Sequence, residues 1–264
     1  MKVNRIRNIV AVATACFGAW IVNQQYSQAD TSTSDVAFMV DQDVKLLKTI
    51  TTDYSKATAA KKRVVERNGS RGITSTGLVM AYYANSAIDG KDAANDAKMA
   101  TLRDLGLKLA KAGKDKDFKG TDEILKAIAA GPKADPAAKK EKIDLTAAIK
   151  GMDLSVDDTM HHYFKDRSYG TNVEDMIKEQ GKKATVKAQE AAAIAHRVKS
   201  LAVYSKVVMN AENAGAKKMW LDYTKEMDEA ADKLLQASKG KPADLTKAFV
   251  AVDVACTKCH NEFK

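Results

Sequence analysis

Two cysteines three positions apart, with a histidine directly after the second, have the clearest chemistry in this chain: Cys256-Thr257-Lys258-Cys259-His260. Three chemistries use such a pair. A dithiol–disulfide redox centre opens a helix after a strand and needs a thiol of lowered pKa. Here the pair falls near the end of a helical stretch, with no βαβ pattern around it. A structural zinc site needs four ligands, and no second Cys/His pair stands at a suitable spacing. The third chemistry is covalent haem attachment, whose signature is C-x-x-C-H. On a helix, positions i, i+3 and i+4 share a face, so Cys256, Cys259 and His260 point the same way. Two thioethers would fix the edge of one haem c. The His260 imidazole would reach the iron as the proximal ligand. Phe263 continues the stripe and is expected to pack on the ring.

The remaining cysteine, Cys16, lies in an N-terminal stretch that reads as an export signal. Lys2, Arg5 and Arg7 form a basic head. Residues 9–22 are an apolar run too short for a comfortable membrane span, and Ser27 and Ala29 are small residues of the kind a signal peptidase reads. Residues 1–29 are therefore expected to be a signal peptide cleaved after Ala29, with an uncleaved anchor as the alternative. Ala13 stands where a lipoprotein signal would carry a large aliphatic residue before Cys16. Export suits covalent haem attachment, which happens outside the cytoplasm. The expected location is periplasmic or otherwise exported, with membrane attachment only if the N-terminal segment is retained.

The elements that must position the motif are helical. Lysine, alanine, aspartate and leucine dominate, only 3 prolines occur, and aromatic residues make up 6%. That favours helices over sheets, and no stretch alternates with a two-residue period, so the chain reads as all-α. The net charge is +9 and falls to +6 once the three basic residues of 1–29 are removed. The lysines alternate with acids along helix faces, which argues for a solvated surface rather than nucleic-acid binding. A mild positive field would attract redox partner proteins with acidic docking surfaces.

A C-terminal C-x-x-C-H on the last helix of a helical bundle resembles the cytochrome c-prime family, which includes low-spin electron carriers. Ala216-Lys217-Lys218-Met219-Trp220 is similar to the start of that family's third helix, and 256–264 to the end of its fourth. Met176-Ile177-Lys178-Glu179-Gln180-Gly181 is similar to its first helix, where low-spin members carry a methionine ligand. The resemblance covers roughly residues 173–264. It implies a four-helix bundle with Met176 as distal iron ligand, because in an antiparallel bundle the start of the first helix meets the end of the fourth. Met176 as a core filler is the alternative. Met209, Met219 and Met227 are expected in the core, His196 as a surface or hydrogen-bonded histidine, and Trp220 and Tyr223 as packing residues.

The first half echoes the second. Asp144-Leu145-Thr146 matches Asp244-Leu245-Thr246, and with one residue of slippage His161 falls at the position of His260, Phe164 at that of Phe263, and Asp157 and Met160 at those of the cysteines. This suggests a tandem duplication: residues 30–165 a degenerate four-helix bundle without covalent haem, 166–172 a linker, and 173–264 the haem-binding bundle. The expected helical segments of the first copy are 36–67, 73–88, 93–112 and 139–164, with 114–138 an inserted loop marked by its Gly-Pro and Asp-Pro pairs. His161 is either a relic or the ligand of a non-covalent haem. The resulting expectation is an exported monohaem cytochrome that transfers single electrons, its first copy a docking or spacing module that can be deleted without losing the haem spectrum. The alternatives are a gas-binding cytochrome with an open iron, or a structural haem subunit of a membrane complex. Homodimerisation stays open. No nucleophile–base pair or phosphate loop suggests an enzyme.

Overall fold

The structure is a computed structural model and describes residues 31–165, 169–208 and 214–263. The readings of 1–29 and of Met209 lie outside these residues. Every regular element among those described is helical, and there is no strand. None of these helices is long and apolar enough to cross a membrane.

Side-chain caps set four of the helix starts among the described residues. Ser32 begins α1 (Thr33–Lys56) by accepting a hydrogen bond from the Asp35 backbone N–H. Asp92 does the same for α3 (Ala93–Lys114), accepting from Ala94 and Asn95, and Asp117 begins α4 (Phe118–Ala129), accepting from Gly120. Such caps satisfy donors that the first turn cannot pair internally. Between α1 and α3 runs α2 (Ala59–Ser86). The expected segment 36–67 is thus two helices: Ala57 and Thr58 are extended, and the chain turns there. Tyr54, near the end of α1, stacks on Phe118 at 3.8 Å and holds that turn against α4.

Two further expectations for the first half are corrected. The stretch 114–138 is not all loop, because α4 buries Phe118, Thr121, Leu125 and Ile128 on one face against α1 and α3. Residues 139–164 are not one helix. They run without regular structure into α5 (Thr146–Gly151), then α6 (Val156–Thr159), then a π-helical turn over Met160–Phe164. Asp153 takes a left-handed φ of 53°, which ends α5 and is tolerated by aspartate better than by most residues. A reciprocal Ser155–Asp158 capping box restarts the helix.

The second half contains α7 (Val173–Lys182), α8 (Ala188–Val207), α9 (Ala214–Ala237) and α10 (Pro242–Phe263). Proline at the first helical position fits its fixed φ and missing N–H. α10 packs against α7 and α9, and α9 against α8. α7 and α10 run antiparallel: Gly181 faces Val250, while Glu174 shares a hollow with His260.

The halves share one core. Residues of α1, α2 and α3 and residues of α8, α9 and α10 form a single buried apolar cluster. At its centre lies a polar network. The Arg197 guanidinium of α8 donates from Nη2 to Asp43 Oδ1 (3.1 Å), from Nε to the Tyr163 hydroxyl (2.8 Å) and from Nη1 to Gln42 (2.9 Å). The hydroxyls of Tyr83 and Tyr163 donate to Asp43 in turn. Asp43 is fully buried and Arg197 4% exposed. Burial pushes the Asp43 carboxyl above its usual range, against the pull of Arg197 and the two phenols. Within the second half, buried Lys199 pairs with Asp228 (3.0 Å) and Asp232 (2.5 Å), joining α8 to α9.

Candidate functional site

The inner stripe of α10 is Leu245, Ala248, Phe249, Val252 and Ala255, all buried. Continued by helical spacing, it reaches Cys256, Cys259, His260 and Phe263. These four are only partly buried, while Thr257, Lys258, Asn261 and Glu262 face outward. The last two turns of α10 therefore carry a core-facing stripe with no closed core over it. In its place is a cleft with about 810 Å³ of empty space, the mouth included, lined by Cys256, Cys259, His260 and Phe263 together.

Leu201 of α8 and Trp220, Thr224 and Met227 of α9 supply further walls. Trp220 meets Phe263 edge-to-face at 5.0 Å, and Tyr223 meets it at 6.1 Å. The Trp220 indole N–H donates to the Ser205 carbonyl (2.8 Å), which fixes the ring at the rim. The remaining wall comes from the other half of the chain: Val156, Asp157, Met160, His161 and Lys165. A neighbouring hollow of about 660 Å³ shares Met160, Leu201, Cys256 and His260, and is closed by Glu174, Ile177 and Lys178 of α7.

Both motif cysteines are free thiols. Burial pushes the Cys256 thiol up to about 12, with Asp253 adding to the effect, and burial also raises Cys259. Redox C-x-x-C centres work through a lowered thiol pKa, and this site does the reverse. What it offers is two protonated thiols and an imidazole on one helical face, above an apolar cleft with an aromatic rim. Among the described residues, no group of three or more His, Cys, Asp or Glu side chains is arranged to hold a metal ion.

The sequence-derived site residues are distributed as follows. Cys256, Cys259, His260 and Phe263 come together in the cleft. Met176 is not among the residues lining it or the neighbouring hollow. The start of α7 does meet the end of α10, but the face turned to the hollow carries Glu174, Ile177 and Lys178, and Met176 packs against the core. Met227 is buried as expected, whereas Met219 is 38% exposed and is no core residue. His196 is buried, with Thr31 Oγ1 3.3 Å from its Nδ1 and Asp35 Oδ2 3.8 Å from its Nε2. Sequence reasoning did not bring Met160 and His161 to this cleft. The repeat alignment marked His161 only as an equivalent of His260 within its own copy.

No family model matches the chain, and neither does any curated protein or solved structure.

Proposed function

We propose that this chain is an exported c-type cytochrome of the c-prime kind, built from two related helical units, the second of which carries one haem c. Cys256 and Cys259 would hold the haem through thioethers, and His260 would bind its iron. The bound group supplies one-electron iron chemistry, and the chain passes single electrons between redox proteins. The observation that carries this reading is the shared cleft: both thiols, the imidazole and Phe263 line one apolar space at the open end of the α10 stripe. The donor set fits a covalent haem. Protonated, unpaired thiols are the groups that add to vinyl side chains, and Leu201, Met227 and Trp220 present apolar surface of the kind a porphyrin buries.

The residues divide the work. Phe263 and Trp220, edge-to-face at the cleft rim, would shield a bound haem from water. Leu201 and Met227 set a low-dielectric floor, which raises the energy of the more charged oxidation state. The net charge of +6 that is left once residues 1–29 are removed suits an acidic redox partner. Met176, off the lining, favours a second reading, a gas-binding cytochrome whose iron is open opposite His260.

The test is the mass of the denatured chain after expression in a host that attaches haem. A mass increase equal to one haem supports the proposal, and Cys256→Ala with Cys259→Ala should abolish it. A chain of unmodified mass that binds no haem would sink it.

A further inference from the structure

We propose that His161, on the π-helical turn of the first half, is the second axial ligand to the iron held by His260, an inference that rests on the haem reading above. The cleft holding the three motif side chains has the π-helical turn as its opposite wall, so the first half completes the site. Two side chains of that turn enter the lining, Met160 and His161.

His161 is the one prepared for a metal. Asp157 Oδ2 lies 3.3 Å from its Nδ1, one turn back on the same face. Metal-binding histidines usually donate the other ring N–H to such a carboxylate, which fixes tautomer and ring orientation. With the Asp157 carboxylate beside Nδ1, Nε2 is the nitrogen left to face an iron. Met160 instead packs against the core and lines both cavities, as a space-filling side chain does.

The turn is anchored on both sides of His161. Behind it, Asp158 is locked in the capping box with Ser155 and lies 3.1 Å from Arg71. Ahead of it, the Tyr163 hydroxyl donates to Asp43 and accepts from Arg197. Lys165 pairs with Glu174 of α7 at 3.3 Å, tying the turn to the helix beside α10. Single π turns inside helices recur at functional sites because the extra residue re-aims the side chains. Here the π turn that carries His161 belongs to one half and the Cys256–His260 motif to the other.

The experiment uses the full-length holoprotein, after the denatured mass has established covalent haem, so a failure of the haem reading is scored first and separately. The ferric protein should be low-spin without the far-red sulfur-to-iron band of a methionine ligand, and the reduced α-band should not move under carbon monoxide. His161→Ala should become high-spin and bind carbon monoxide, and added imidazole should restore the low-spin spectrum, a rescue that a merely structural role would not give. His161→Met should create the far-red band and raise the potential. Met176→Leu should leave the spectrum unchanged. The proposal is overturned if His161→Ala stays low-spin, if the native protein is open to carbon monoxide, or if Met176→Leu alone opens the iron. Should His161→Ala lose its helix content, His161→Met decides, and no sulfur band in that variant counts against the ligand role.

Discussion

At the scale of single residues, the chain separates chemistry that spacing reveals from chemistry that packing makes. Cys256, Cys259 and His260 were legible because one helix carries all three, and helical geometry alone puts them on one face. His161 was visible as a histidine but not as a wall of this cleft, because the cleft joins residues about a hundred positions apart. Met176 stands off the lining for a different reason: α7 and α10 do pair, but Met176 is one position away from Ile177 on the α7 face turned to the hollow. The Asp43–Arg197 pair was invisible for the same reason as His161. Its removal should be costly, because a buried partner is left uncompensated. Asp43→Ala is expected to destabilise by about 3–5 kcal/mol, read as a shift in the urea midpoint at unchanged m-value. Asp35 gives a pH dependence. The nearby His196 ring, with Ser32 adding, holds its carboxyl below the usual range. A lowered folded-state pKa contributes stability above the unfolded value, near 3.9, that is lost as pH falls through the folded one. The midpoint should therefore drop as the pH falls below the unfolded value and on through the lowered folded-state one, and Asp35→Asn should make that drop shallower.

At the scale of elements, caps and glycines decide more than propensity. α4 was overlooked because proline-containing pairs beyond it suggested loop, yet Asp117 and the stripe from Phe118 to Ile128 are an ordinary helix start and buried face. Asp117→Ala should cost about 1 kcal/mol, seen as loss of protection from hydrogen exchange confined to α4. The segment 139–164 misled in the opposite sense: its composition is helical, but a left-handed Asp153 and a new cap at Ser155 divide it. The closest helix pair, α2 and α3, is set by glycine. A Cβ on Gly106 would lie 2.7 Å from the Ala81 backbone nitrogen, and one on Gly77 2.5 Å from that of Ala110. Backbone cannot yield as a side-chain tip can, so the helices must separate. Gly106→Ala, favourable for helix propensity alone, is expected to destabilise by about 1–3 kcal/mol through overpacking, measured as a lowered thermal midpoint.

At the scale of the whole molecule, the repeat in the sequence suggested two units joined by a linker, with the first dispensable. The common core and the Arg197 network change that expectation. Residues 173–264 alone would expose the face of α8 that packs on α1 and α2 and would leave Arg197 without Asp43. Deleting 30–165 should therefore lose both folded helix content and the cleft proposed to hold haem, and the intact chain should unfold in one step. Coincident urea transitions by circular dichroism and by visible absorbance would meet that expectation. Two separated transitions would return the halves to independence. Self-similarity within a sequence reports ancestry of segments, and it does not report which faces those segments bury against each other.

The indole at the cleft rim has an optical consequence. The chain holds two tryptophans, Trp20 in the stretch read as an export signal and Trp220 beside Phe263. In a chain cleaved after Ala29, all indole emission would come from one ring whose N–H is fixed to the Ser205 carbonyl. A porphyrin in the cleft would drain that emission by resonance energy transfer, so the mature chain should be nearly dark when loaded and bright when denatured. Its own fluorescence would then report, without any label, how far the end of α10 stands from the helices that face it.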